Sequence, residues 1–553
     1  MTNKAKIGMW FLPCLLIASM LLTACGGSAQ TVHHKNYLTI VANTGGDFTR
    51  NFNPYSPSVN TGTQGLIYET LLYINRLDNT TQPWLASSYT LASDATSIKF
   101  TLRNGIKWSD NQPLTSADVI FTLNLLKKYP AMDLNGMMPY IKNFSAPDAS
   151  TVQVNLNKSF YPILWFLGGQ TFILPQHVWS KVKGDGSQYS DPNPVGTGPY
   201  ILKSFTPQLF VLSKNPNFWQ PGKPIVNELR YPAYNSNTSV ELALQKGQID
   251  WTNLYIPNIE KTYINLDKAH NHYWFPSSDI VMLYLNTAKY PFNLLPVRQA
   301  ISYAINRDSV SKIGESGFEP PANPTGLLNY AKSYTAPEYA NSAFTVNSTK
   351  AEQLLQSAGF TKGSDGIYVD KKGKKLSVGL NVVDGYTDYI TDCQLMSKDL
   401  QAIGINVTVN TSAYDTFNSA LLNGQYDMAI LWTNPGPTPY YIYNGLLNSA
   451  NTAPIGQQAT SNYERWNDPQ TDKLLDQYAS TTDQAVQKQA IMGLEKIMVE
   501  QMPSVPLTAE PYWYEYSTAN YVGWPDATHP YAAPGTAETP EVEYVLLHLQ
   551  PAS

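Results

Sequence analysis

The chain has 553 residues, more than one ordinary domain of roughly 100–200 residues holds, and 43% of them are hydrophobic, enough for a sizeable core. Only 14% are charged and the formal net charge is −5, so the chain has no basic field for nucleic acid and no charge run of the kind that marks disorder or a coiled coil. With 37 Tyr, 12 Trp, 39 Pro and 34 Gly, the surface is finished by uncharged polar groups, aromatics and turns.

The chain opens on an address. Lys4 and Lys6 precede a charge-free run over residues 7–24, which just reaches the length of a membrane-spanning helix. Gly8 and Pro13 inside the run, and its place at the very start, read as a secretory signal. Leu22-Thr23-Ala24-Cys25 then resembles the bacterial lipobox, in which the cysteine is lipidated and becomes the new N-terminus. This predicts a signal peptide over 1–24, a lipid on Cys25, a tether over 25–36 and a protein held at a membrane surface. Cys14 leaves with the signal and Cys25 is occupied, so Cys393 is the one remaining thiol and no disulfide is expected.

Hydrophobic periodicity supplies the next elements. Residues 38–41 read as a first strand. Leu66, Ile67, Leu71 and Leu72 predict a helix over 65–73, and residues 98–102 read as a strand. Thr115 can cap a helix with the Asp118 carboxylate three residues on, followed by the stripe Val119, Ile120, Leu123 and Leu126. Val152, Val154 and Leu156 alternate as in a half-buried strand, and Val297, Ala300, Ile301 and Ala304 mark a helix. Alternation over 376–382, a helical stripe Tyr389, Cys393, Met396, Leu400, and renewed alternation over 405–409 predict a βαβ unit with a parallel pair. Tyr426, Met428, Ile430 and Trp432 mark a further strand, and a late helix covers 484–502.

Motifs for catalysis are missing: no phosphate-binding Gly-x-x-x-x-Gly-Lys-Ser/Thr loop, no His-Glu-x-x-His and no Gly-x-Ser-x-Gly. Gly196-Thr197-Gly198 lacks the third glycine of a dinucleotide loop, because Ile201 stands there. His270 and His272 have no nearby cysteine or acid set to complete a metal site. No enzyme activity, cofactor or metal is expected. Carboxylates are plentiful, and a glycosidase pair stays open as a weaker alternative of another class.

The most specific run is Phe100-Thr101-Leu102-Arg103-Asn104-Gly105-Ile106-Lys107-Trp108-Ser109-Asp110, continued by residues 113–119. Val195-Gly196-Thr197-Gly198-Pro199-Tyr200, Asn215-Pro216-Asn217-Phe218-Trp219, residues 245–250 and residues 297–307 follow in order. Together these resemble the extracytoplasmic solute-binding proteins of ABC importers, family 5, which include oligopeptide- and dipeptide-binding proteins. The resemblance implies an α/β fold, a bilobed periplasmic-binding-protein-like clamp of type II with an extra inserted subdomain. Lobe I would take 37–75, 194–282 and 506–553, the inserted subdomain 76–193, and lobe II 283–505. Crossings near 284–286 and 505–507 would be the hinge. It further implies a monomer that closes over its ligand and docks on a membrane permease driven by ATPase subunits, with nothing chemically transformed.

Parallel α/β sheets bind ligands at the carboxyl ends of their strands, which singles out the loop after Trp432. Trp432, Asn434, Thr438, Tyr440 and Tyr441 are the expected ligand contacts on that side. Asn53 and Tyr55, next to Phe52, are expected on the opposite wall. Tyr512, Trp513, Tyr514 and Tyr516 fit either site or core, and their alternation favours core. In many peptide-binding relatives the loop carries an Asp that pairs with the peptide ammonium, whereas residues 432–443 here contain no acid. Either another acid serves a peptide ligand or the ligand is a neutral oligosaccharide; peptide is the primary expectation.

Overall fold

The computed structural model describes residues 35–328, 331, 333–433 and 435–553. The signal, Cys25 and position 434 therefore lie outside the described residues. Asn36–Ser553 make one compact unit.

Three sheets carry it. A seven-stranded sheet has the order Asn271–Tyr273, Glu515–Ser517, Trp251–Thr252, Tyr37–Val41, Glu228–Pro232, Leu209–Lys214, Tyr200–Thr206. A five-stranded sheet runs Asn406–Ser412, Ser377–Val383, Met428–Trp432, Ser277–Leu285, Val505–Pro511. A four-stranded antiparallel sheet, Ala86–Leu91, Ser97–Leu102, Thr151–Leu156, Ile141–Asp148, forms the inserted part. The predicted βαβ unit is there: Ser377–Val383 pairs in parallel with Asn406–Ser412 through the helix Thr387–Ala402, whose Cys393, Met396 and Leu400 are fully buried. The capping box also forms, with the Thr115 backbone N–H donating to Asp118 Oδ2 at 2.9 Å at the head of Ser116–Lys128.

Two expectations change. Residues 65–71 are not a helix. Their carbonyls are used elsewhere: Gly198 N–H donates to Ile67 O at 2.9 Å and Tyr200 N–H to Leu66 O at 3.0 Å, and only Leu72–Ile74 becomes regular, as a strand. Apolar spacing alone did not reveal that this backbone pairs with a distant segment. The second change is the hinge. Ser277–Leu285 and Val505–Pro511 lie side by side, antiparallel, wholly inside the five-stranded sheet. The chain therefore passes between the two large sheets at 274–276 and 512–514, one strand length from the boundaries expected at 282/283 and 505/506.

The runs that stood out in sequence meet at one structural junction. Trp108 is fully buried, Ser109 N–H donates to Gly196 O at 2.9 Å, Asn217 Nδ2 donates to Ser109 O at 3.1 Å, and Asn215 Nδ2 donates to Gly198 O at 2.8 Å. These motifs weld the inserted sheet to the seven-stranded one, so their residue types are set by packing. Gly196 is required there because a Cβ would stand 1.7 Å from the Ile67 carbonyl oxygen. Gly196→Ala is expected to destabilise the protein by at least about 3 kcal/mol in urea unfolding. Gly445→Ala, on the helix Pro439–Leu447 with nothing within 4 Å of its new Cβ, should be neutral or stabilising by about 0.5–1 kcal/mol.

Candidate functional site

At the passage between the sheets lies a cavity of about 430 Å³, within the roughly 300–1,000 Å³ usual for small-ligand sites. One wall comes from the first lobe: residues 42–43, 45–49 and 57–61, Asn253, Leu254, Tyr255, Tyr512, Trp513 and Glu538. The facing wall comes from the second: Tyr386, Asp388, Tyr389, Tyr414, Asp415, Trp432, Thr433 and Pro435. Ser278, Asp279, Glu510 and Pro511, on the paired strands, make the floor.

The walls touch across the gap. Tyr255 and Ser316 share a hydroxyl hydrogen bond of 2.6 Å, and Asn237 N–H donates to Gly385 O at 3.3 Å. Tyr386 and Trp432 lie nearly parallel with centroids 6.3 Å apart, and Tyr255 meets Trp513 edge-on at 5.4 Å. This is an aromatic-lined cleft whose two walls are in contact beside it.

Its floor is acidic and almost unpaired. Asp279 accepts from Ser278 Oγ at 2.6 Å and from Thr433 Oγ1 at 3.3 Å, yet burial lifts its pKa to about 7. Burial likewise lifts Asp388 to about 6, and burial followed by the charges of Glu319, Asp279 and Asp388 raises Glu510, which accepts from Tyr389 Oη at 3.2 Å. Behind the floor stand Glu315, Glu319 and Asp392, all fully buried. Glu319 accepts from Thr508 Oγ1 at 2.6 Å, while Glu315 and Asp392 lie against each other, so the carboxyl that keeps its proton donates to its neighbour. Burial lifts Asp392 to about 8 and, with Glu319 and Asp392 beside it, raises Glu315 well above the carboxylate range. Among the described residues none of these six groups has an ion-pair partner within 4 Å, and no acid, His or Cys cluster has the arrangement of a metal site. The cleft's one lining cation, Arg76, is already engaged, 2.7 Å from Glu538 and 3.8 Å from Glu541. Burial works against its charge, but those two carboxylates more than offset that.

Of the residues expected at the site, Trp432 lines the cleft. Asn53 and Tyr55 do not line it: Asn53 Nδ2 donates to Tyr189 O at 2.8 Å and Tyr55 Oη to Phe172 O at 2.6 Å, so both are buried braces, as is Phe52. Thr438, Tyr440 and Tyr441 also lie outside the lining, because the helix starting at Pro439 turns them onto packed neighbours. Thr438 Oγ1 accepts from Tyr478 Oη at 2.9 Å, Tyr440 stacks on Tyr478 at 4.8 Å, and Tyr441 meets Phe166 at 5.4 Å. Of the four aromatics that fit either site or core, Tyr512 and Trp513 line the first wall, while Tyr514 and Tyr516 do not. Sequence reasoning passed over Asp279, Asp388 and Glu510. The available signal was a lone acid in an otherwise uncharged strand, as in Ser277–Leu285 and Val505–Pro511.

Fold and cleft together define a two-lobed α/β clamp that encloses a ligand. The chain belongs to the bacterial extracellular solute-binding proteins, family 5, whose middle-region profile matches residues 80–454. That family supplies the non-catalytic, extracytoplasmic binding component of ABC importers. The glutathione-binding protein GsiB of Escherichia coli is 26% identical over 524 residues, 90% of this chain and 93% of that protein. The probable D,D-dipeptide-binding periplasmic protein DdpA of the same organism is 27% identical over 77% of this chain and 79% of its own. The crystal structure of a mannohexaose-bound periplasmic oligopeptide-binding protein from Thermotoga maritima matches with a TM-score of 0.86 and 26% identity, covering 93% of this chain and 98% of that one.

The acid floor gives a pH signature. Asp279, Asp388 and Asp392 hold protons more tightly folded (to about 7, 6 and 8) than unfolded, so their stabilising contribution is complete below the ordinary carboxyl range and lost as pH rises through those values. The ligand-free protein is expected to melt at a higher temperature at about pH 5 than at about pH 8 in thermal scans. Closure gives another. Gly385 has φ +88°, and an added Cβ would stand 2.5 Å from Asn235 O on the other lobe. Gly385→Ala should weaken ligand binding about tenfold or more by calorimetry, beyond a local strain of about 1 kcal/mol in unfolding.

Proposed function

We propose that this protein is the lipid-anchored, extracytoplasmic capture subunit of an ABC importer and that its ligands are peptides. The single observation that carries the peptide reading is the floor of unpaired carboxyls at Asp279, Asp388 and Glu510. The strand-end loop at 432–443 has no acid, and these groups offer the counter-charge that a buried peptide ammonium needs. The names of the glutathione- and dipeptide-binding relatives point the same way.

Ligand entering the open cleft would touch one wall first and both after closure. The closed state is favoured only by the ligand's extra affinity for it. Tyr255, Tyr386, Trp432, Tyr512 and Trp513 would pack on side chains with little specificity, as large flat surfaces do. A permease and ATPase subunits would then take the ligand from the closed monomer, with the Cys25 lipid keeping it at the membrane. Trp432 remains the proposed contact on the second lobe, and Asn434 a proposed neighbour.

Oligosaccharide is the second reading, favoured by the aromatic walls and by the mannohexaose-bound structural relative. A thermal-shift screen separates the two, because a ligand that binds only the native state raises the melting temperature. Short peptides with a free amino terminus should raise it, and their N-acetylated forms should do so far less. Stabilisation by mannose oligosaccharides with none by peptides would reject the peptide reading.

A further inference from the structure

The charge balance of the cleft reaches beyond one ammonium group. This inference rests on the peptide reading above. Asp279, Asp388 and Glu510 line the same cavity, and Glu319, Glu315 and Asp392 stand directly behind them. The groups facing them are known from every side. Asp279 faces Ser278, Thr433, Arg76 and Glu538, and Glu510 faces Tyr389, Glu319, Asp279 and Asp388. Asp392, on the helix that carries Asp388, faces Glu315 and Asp388. Arg76 is the one cation in that set, and Glu538 and Glu541 hold it. A single α-ammonium can balance one of these carboxylates. In a closed, largely dry cleft the others must then keep their protons or meet a second positive charge.

The walls suit such a charge. Tyr386, Tyr389, Tyr414, Trp432 and Trp513 line the same cavity as the acids. Rings attract ammonium and guanidinium groups, and the attraction strengthens when water is excluded. Carboxyls and aromatic side chains in one cavity suit an organic cation. A neutral side chain would gain the packing and leave the acids unpaired.

We propose that the cleft selects peptides bearing a positive charge beyond the terminal ammonium, and that Asp279, Asp388 and Glu510 are the specificity-determining groups that receive it. Binding then expels protons. The ligand-free floor holds its protons more tightly than free carboxyls do, since burial lifts Asp279 to about 7, and a bound cation favours the ionised form. Affinity for a basic peptide rises with pH until the floor is fully ionised without ligand, and proton release fades over the same range.

Isothermal titration calorimetry of the purified protein tests this, using alanyl peptides matched in length, with and without one lysine, in buffers of different ionisation enthalpy. The lysine peptides are expected to bind about tenfold or more tighter, and at about pH 6 to release more protons than the matched neutral peptides. Glu510→Gln and Asp279→Asn keep the side-chain shape and remove a buried charge, so both variants should fold. Each should narrow the gap between lysine and neutral peptides and reduce the protons released. Equal affinity for the paired peptides overturns the inference while leaving the peptide reading intact. Binding of mannose oligosaccharides with no binding of any peptide removes both.

Discussion

Carboxyl groups buried without cations at the passage between two lobes are the constraint on which the rest of the structure turns. Isolated carboxylates in such surroundings are unfavourable by several kcal/mol each, so a protein keeps them neutral or supplies a partner. Here the partner set is short of positive charge: Arg76 is taken by Glu538 and Glu541, and Asp279, Asp388 and Glu510 face the cavity. An empty floor holds protons, and a filled one holds a cation. That difference is a free energy available only when ligand and both lobes are together, which is the condition for a ligand to drive closure.

The scaffold puts this floor where it acts on the motion. Asp279 and Glu510 sit opposite one another in the register of the two strands that end at the crossings. A change of charge there lies where the chain passes between the two large sheets. Contacts already join the lobes beside the gap: Tyr255 with Ser316, Asn237 with Gly385, and Phe318 edge-on against Phe275 at 5.3 Å and Trp513 at 5.9 Å. Aromatic residues also line the cavity itself, where a ligand would cover them.

Much of the fold was legible in the sequence because its signals are local. Strict alternation over 376–382 and 405–409, with a 3.6-residue stripe between, has one easy solution, and the βαβ unit follows. Thr115 and Asp118 announce a helix start that needs nothing distant. The misread segment at 65–71 has helix-like spacing, but its carbonyls accept from Gly198 and Tyr200, more than a hundred residues away, and no local pattern encodes that. The site was harder to see. The strand-end rule pointed to Trp432, which lines the cavity, yet the next turn buries Tyr440 on Tyr478, and Asn53 and Tyr55 spend their polar atoms on backbone carbonyls. Asp279 and Glu510 come from strands far apart in the chain, each the lone acid of an uncharged strand, while Asp388 comes from a helix that carries other charges. Only their assembly makes them a cluster.

Infrared difference spectroscopy of the protonated-carboxyl C=O stretch tests the central claim most directly. Ligand-free protein at about pH 6 should show a buried protonated-carboxyl band that diminishes when a basic peptide saturates the cleft. A ligand-free spectrum at that pH with every carboxyl ionised, unchanged on saturation, would contradict the account.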